Sequence, residues 1–321
     1  MSFFLAAALD GAGRFTSAEW AAPARHADAL ELDFVTIEDA FGPPADGPAR
    51  LEAPLVAAHL APLTRHVGLV PVATTTHTEP FHLSTALATV DHVSGGRGGW
   101  QVRVSADPAE AALLGRRAPL PIEELFAEAA DAVEVVRRLW DSWQDDAIIR
   151  DVATGRYVDR DRLHYIDFTG PYFAVKGPSI VPRPPQGQPV VAALAHSPAV
   201  YEFAARTADV VFTTPDDDSL DRIVGEVRAA SATIRLFADL AFGPTPDHAR
   251  VLIGDPAEAA GLMADWHARG VDGFRLRSTG DLSAIVGELR ARGLFEPHTG
   301  TLRERLGLPP AINRYEEARV A

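Results

Sequence analysis

The chain contains no cysteine. That excludes disulfide staples, thiolate nucleophiles and thiolate metal ligands, and it fits a cytoplasmic location. Positive charge is also short: 30 Lys and Arg stand against 44 Asp and Glu, a formal net charge of -14. Nucleic acids and anionic membranes both require a basic face, so neither is an expected partner. No stretch reaches the roughly 18 uninterrupted apolar residues of a membrane span. The apolar start, MSFFLAAAL, lacks the basic flank of a signal peptide and meets Asp10 early, so it reads as a buried first strand.

Several chemical signatures are missing too. The glycines at Gly11 and Gly13 are not followed by the third glycine of a dinucleotide fingerprint. No G-x-S-x-G elbow occurs, so covalent acyl chemistry has no nucleophile. His77 and His82 flank Pro80 at a spacing that fits neither a helical nor a strand pair of metal ligands, and no metal site is expected. SGGRGGW, at Ser94 to Trp100, precedes a strand instead of opening a helix. It reads as a tight connection, because a phosphate loop needs helix N-terminal amides after it.

What the chain does have is alternation. At 321 residues with 47% hydrophobic and 23% charged residues, it can build one large core. Apolar runs at Phe3–Leu9, Phe34–Ile37, Gly68–Val72, Trp100–Val104, Pro189–Leu194, Asp209–Thr213, Ala232–Leu240 and Gly273–Leu276 are each followed by a helical pattern. Eight such pairs predict an α/β fold, a single (β/α)8 TIM barrel over residues 1–321. A doubly wound open sheet is the alternative. The alternation stops at residues 145–188, rich in Asp, Arg, Gly, Pro and aromatics, which predicts a hairpin-bearing insertion after the fourth strand–helix unit. The tail, residues 294–321, is expected to pack across one end of the barrel as an arm.

The stretch from Gly68 to Ser105 organises the rest: apolar run, threonine tip, amphipathic helix, glycine turn, apolar run. Ligands of such barrels meet the C-terminal strand tips, which makes Thr74, Thr75, Thr76, Gln101 and Ser105 site candidates. Asp39 and Glu38 end the second strand, and alternation lets only one of them face the mouth. His196 and Ser197 lie where a strand passes into a helix, so their backbone amides are a candidate phosphate cradle and Ser197 a candidate N-cap. Arg97, Arg103 and the Arg116–Arg117 pair are candidates for an anionic substrate.

PVATTTHTEPFHLSTALATVDHVSGGRGGWQVRVS resembles the flavin-dependent luciferase-like monooxygenases. The likeness is closest to the branch with the nitrilotriacetate, dibenzothiophene-sulfone and pristinamycin-type enzymes. There, T-T-x-x-x-P-[YF]-H is followed by L-D-H-x-S-x-G-R-x-x-W-N-V-V-T-S. The blocks VVRRLWDSWQDDAIIRD, IDFTGPYFAVKGPSIVPRPPQGQPVV, EFAARTADVVFT and RGLFEPHTGTLRERLGLPPAINRY agree in order. The resemblance implies a homodimeric barrel that uses reduced FMN, supplied by a separate flavin reductase, and oxygen on a small-molecule substrate. It places Asp39, Thr74 and Thr75 near the flavin ring, with Gln101 in the place of the usual Asn and Ser105 closing the same strand. The chain departs from it where Ile122 and Phe126 replace His and Tyr of an H-x-x-R-Y element. It departs again where Ala195 to Tyr201 replaces a G-S-S-x-x-G-R turn, leaving His196, Ser197 or a nearby arginine as the replacement phosphate contact. Two alternatives follow: a deazaflavin-dependent oxidoreductase on the same barrel, or a non-catalytic paralogue with a binding or partnering role.

Overall fold

The computed structural model describes residues 2–11, 13–43, 49–242, 252–278 and 280–317. Eight parallel strands close on themselves in sequence order: β1 (Phe4–Leu9), β2 (Phe34–Ile37), β3 (Gly68–Thr74), β4 (Gly99–Arg103), β5 (Val190–Leu194), β6 (Val210–Thr213), β7 (Arg235–Phe242) and β8 (Gly273–Arg277). Pairing of β8 with β1 and of β6 with β7 completes the ring. Closure excludes the open sheet and removes every edge from the eight strands. A short strand, Leu252–Ile253, adds outside the ring on β7.

The intervening helices are α1 (Ser17–Ala29), α2 (Ala53–Leu60), α3 (Pro80–Ser94), α4 (Ile122–Asp141), α5 (Pro198–Thr207), α6 (Leu220–Ala230), α7 (Pro256–Ala268) and α8 (Ser283–Ala291). Local chemistry sets their ends. Thr16 and Glu19 form a reciprocal capping box at α1. Pro80 opens α3, where a missing N–H costs nothing, and Gly95 stops it at φ 67°, a left-handed value glycine adopts without penalty. The α4 stripe of Leu125, Ala129, Val133, Val136 and Leu139 is buried on one face, as its period predicts. Helix α2 ends at Leu60 and continues as a 3-10 turn through Leu63, shorter than the run to Arg65 that the sequence suggests.

Two kinds of core result. Outward-facing strand residues such as Leu5, Val35, Phe274 and Leu276 pack under the helices. Inward-facing residues Ala6, Phe34, Val70, Ala192, Phe212 and Phe237 fill the lower lumen. Leu302 and Leu306 belong to that inner cluster, because the C-terminal segment crosses the N-terminal ends of the strands. Arg305 Nη1 donates to the Asp33 carbonyl at 3.1 Å, Arg235 Nε to the Leu306 carbonyl at 2.9 Å and Arg303 Nη1 to the Gln188 carbonyl at 3.2 Å. That end is sealed, and the C-terminal tips are left for chemistry. Residues 318–321 of the proposed arm, and 44–48 of the loop after Asp39, lie outside the described residues.

Between α4 and β5, residues 145–188 carry two small antiparallel hairpins, Ile148–Asp151 with Arg156–Val158 and Phe168–Thr169 with Ala174–Val175. Among the described residues no helix is long and apolar enough to cross a membrane.

The buried Asp91 at the end of α3 laces this architecture together. Its carboxylate accepts from Gly98 N at 3.0 Å, Gln186 N at 3.1 Å and Gln186 Nε2 at 2.6 Å. Burial nevertheless wins over these donors and pushes its pKa up to about 6. A carboxyl raised in the folded state stabilises the fold most when protonated, and that contribution fades as pH rises from about 4 through about 6. Two units correspond to about 3 kcal/mol. Asp91→Asn, neutral at every pH, should therefore gain stability relative to the parent protein by up to that amount between pH 4 and pH 7. Paired urea titrations at the two pH values check this, and a pH-independent difference would refute it.

Candidate functional site

Strand alternation decides what faces the mouth. In β8, Phe274 and Leu276 point to the helices, so Arg275 and Arg277 point into the lumen. Asp239, the lone acid of β7, is the direct cross-strand partner of Arg275. Arg275 grips it with Nε to Oδ1 at 2.7 Å and Nη2 to Oδ2 at 2.5 Å. Both side chains are sealed from solvent, at 0% and 1% exposure. The remaining Nη1 donates to Gln101 Oε1 at 2.8 Å and Thr36 Oγ1 at 3.3 Å. The guanidinium lies 3.9 Å from the centre of the Phe212 ring. One layer up, Arg277 bridges Asp239 at 3.2 Å and Glu38 at 3.2 Å. Burial would raise the Asp239 carboxyl, but the two arginines outweigh it and hold it below the usual carboxylate range.

Glu38 is therefore the acid that turns into the lumen. Asp39 turns the other way and ties β2 to α2, accepting from Ala40 N and Ala53 N, each at 2.8 Å. Burial raises its pKa despite those two donors. Arg103 reaches from β4 to the Asp39 carbonyl at 3.2 Å. Thr75 bonds the Arg103 carbonyl through both N, at 2.9 Å, and Oγ1, at 3.2 Å. Ser105 N donates to Thr76 Oγ1 at 3.0 Å, and its hydroxyl donates to the Glu110 carboxylate.

Three cavities open around this floor. One of about 230 Å³ lies over β4 and β5, between Gln101, Arg103, Leu194, Phe126 and Phe203. A second, of about 490 Å³, is lined by Asp39, Arg50, Thr74, Thr78 and His82 against Ala73, Leu83 and Ala86. A third, of about 430 Å³, lies between His77, Thr78, Arg116, Arg117, Glu128 and Tyr172. Of the three, only the second brings Asp39 and Thr74 together. Gln101 lines the first, with its amide oxygen already committed to Arg275. Thr75 and Ser105 are buried in the lacing of β3 to β4. His196 and Ser197 line none of the three; His196 Nδ1 sits 3.1 Å from Thr214 Oγ1. Ser197 occupies the N-cap of α5 without a side-chain cap bond, and its carbonyl takes Val200 N and Tyr201 N, each at 3.0 Å. Among the described residues, no group of three or more His, Asp or Glu is arranged to hold a metal.

Sequence reasoning passed over Arg275, Asp239, Arg277 and Arg50. The first two carried a readable signal: a single acid in RLFADLAF and alternate arginines in GFRLR, both inside otherwise apolar strands. Arg50 carried none, because it follows a Pro- and Gly-rich loop. Its Nε is buried and has no hydrogen-bond partner among the described residues.

Residues 1–260 match the luciferase-like monooxygenase family, and the chain belongs to it. Nitrilotriacetate monooxygenase component A of Aminobacter aminovorans is 45% identical over 167 residues, which span 52% of this chain and 37% of that relative. The chain thus matches well under half of that relative's length. One of the two chains of pristinamycin IIA synthase from Streptomyces pristinaespiralis is 34% identical over 91% of this chain and 89% of its own length. Among solved structures, riboflavin lyase with modified FMN and riboflavin superposes with a TM-score of 0.88 over 97% of both chains at 22% identity, a likeness of fold.

The lumen ion pair yields a direct test. Asp239→Ala leaves the Arg275 guanidinium buried without its counter-ion and should cost about 3–5 kcal/mol. Asp239→Leu combined with Arg275→Met removes both charges and should cost far less. Chemical denaturation of both variants measures this; a near-neutral Asp239→Ala would show that the pair does not carry the barrel floor.

Proposed function

We propose that this chain is the oxygenase component of a flavin-dependent monooxygenase acting on a small organic molecule. The observation that carries the reading is the 490 Å³ cavity at the strand tips of a barrel belonging to the luciferase-like monooxygenase family. Its volume lies in the range of cofactor pockets, about 300–1,000 Å³, whereas the 230 Å³ hollow over Gln101 falls below it.

The lining suits a planar, acceptor-rich ring. Arg50 Nε–H is a buried donor awaiting an acceptor. Thr74 adds a hydroxyl, and Ala73, Leu83 and Ala86 supply apolar wall that excludes water. Asp39, Thr74 and Arg50 would hold the ring of reduced FMN, which when bound supplies the activation of oxygen. Asp39, fixed by two backbone amides, holds the β2 tip and the start of α2 at constant spacing. The buried Arg275–Asp239–Gln101 floor beneath keeps β4, β7 and β8 in register.

The phosphate end has a poorer complement. Ile122 is exposed and Phe126 packs on Phe203 at a ring distance of 5.2 Å, so neither offers a donor. The Val200 and Tyr201 amides of α5 are used internally. Each hydrogen bond to a charged group is worth about 1.5–3 kcal/mol, so FMN affinity rests on the ring contacts. The nitrilotriacetate and pristinamycin relatives are each named as one part of a larger system, which supports a partnered arrangement here. We assign a separate flavin reductase as the partner.

Calorimetric titration with oxidised FMN in air and reduced FMN under nitrogen tests the reading. Binding should be weak in the parent chain and at least about tenfold tighter in Ile122→His with Phe126→Tyr, the gain expected from one restored charged contact. If neither redox form binds at high micromolar concentration and the double variant gains nothing, the flavin assignment fails.

A further inference from the structure

We propose that the third cavity, enclosed by the β3–α3 turn, the Arg116–Arg117 loop and the insertion, is a binding site for small organic carboxylates. It is distinct from the Asp39–Thr74 cavity and adjoins it through Thr78, which lines both.

The other arginines considered from the sequence are committed elsewhere. Arg97 is buried and spends its guanidinium on the carbonyls of Ala61, Thr64, Val67 and Ser94. Arg103 is held at the Asp39 carbonyl. Arg116 and Arg117 differ. Arg116 is oriented through Nη1 by the His77 carbonyl at 2.8 Å, while its approach to Glu79 is 3.5 Å with both side chains more than half exposed. Such a pair is weak and readily exchanged for a ligand. Arg117 is clamped by the buried Glu128 through Nη2 alone, and its other N–H groups have no partner among the described residues. A guanidinium fixed at one corner presents the remaining fork ready-made for a carboxylate.

The turn between them is under strain. His77 is a non-glycine residue at φ 65°, in the left-handed region, and its Nδ1 is buried without a partner among the described residues. Strain and an orphaned polar atom persist together where a turn serves a ligand. Burial and the neighbouring Arg117 hold the imidazole below its usual pKa, which keeps it neutral, with one nitrogen able to donate. Tyr172 and Phe173 of the insertion give the cavity an aromatic wall for the body of an organic acid.

Charge balance selects the ligand class. Two arginines face two resident acids, Glu79 and Glu128, so the cavity is close to neutral overall. A singly charged carboxylate is satisfied by one guanidinium fork, whereas the double charge of phosphate meets two carboxylates already in place. At about 430 Å³ the space exceeds a bare headgroup and takes an acid with a carbon skeleton.

As the substrate pocket of the proposed monooxygenase this site rests on that reading; as a carboxylate site it does not. The test accordingly omits flavin. Calorimetry at constant ionic strength compares hexanoate, its neutral amide hexanamide and inorganic phosphate on the full chain. Hexanoate should bind at least tenfold more tightly than either control. Arg116→Gln, at an exposed position, should weaken hexanoate at least fivefold with an unchanged melting temperature. Arg117→Lys, which keeps the charge beside Glu128 but loses the fork, should also weaken it. Equal binding of hexanoate and hexanamide, preference for phosphate, no hexanoate binding, or full affinity in both variants each overturns the proposal. Hexanoate binding in a chain that binds no FMN would leave the site standing and remove the oxygenase reading alone.

Discussion

The contact between Arg275 and Asp239 is the constraint on which the rest of the mouth depends. A bidentate ion pair sealed inside a parallel barrel is tolerable only because the groups left over find partners: Gln101 and Thr36 below, Arg277 above, the Phe212 face alongside. Four strands contribute, so their relative heights cannot slip without breaking a buried hydrogen bond. The pair thereby forms a rigid polar floor across what would otherwise be an apolar plug.

That floor also explains the division of the mouth. Arg277 and Glu38 rise from it on one side, and Arg103 crosses to the β2 tip on the other. The space left is three separate hollows instead of one bowl. Sealing of the opposite end by Leu302 and Leu306, clasped through Arg303 and Arg305, leaves the strand tips as the chemical face. Each hollow has its own character: apolar with an occupied amide over β4 and β5, mixed with an orphaned donor beside Asp39, and charged but balanced beside His77.

Family membership and geometry meet at the second hollow. A luciferase-like barrel needs room for a flat ring and protection from water, and both are present beside Asp39 and Thr74. The positions of Ile122 and Phe126 are where this chain has traded donors for packing. A protein so built holds its cofactor by the ring more than by the tail. Weak, exchangeable flavin binding suits a component that receives reduced flavin from elsewhere.

The barrel was legible in the sequence because it depends on local periodicity. Eight apolar runs, each followed by an amphipathic helix, a proline opening α3 and a glycine closing it, are choices written within a few residues of where they act. The insertion showed itself by the same logic, as a break in rhythm. The candidate site was legible in part: strand tips are fixed by where runs end, so Asp39, Thr74, Gln101 and Ser105 could be named. Which way each side chain turned could not. The choice between Glu38 and Asp39 was settled by Arg277, 239 positions from Glu38 in sequence, and the fate of the Gln101 amide by Arg275. Composition and spacing determined strands, helices and their order, because those follow from the solvent preference of neighbouring residues. Tertiary structure alone decided which polar groups spend their hydrogen bonds on each other and which remain for a ligand, because that depends on barrel closure bringing the last strand against the first.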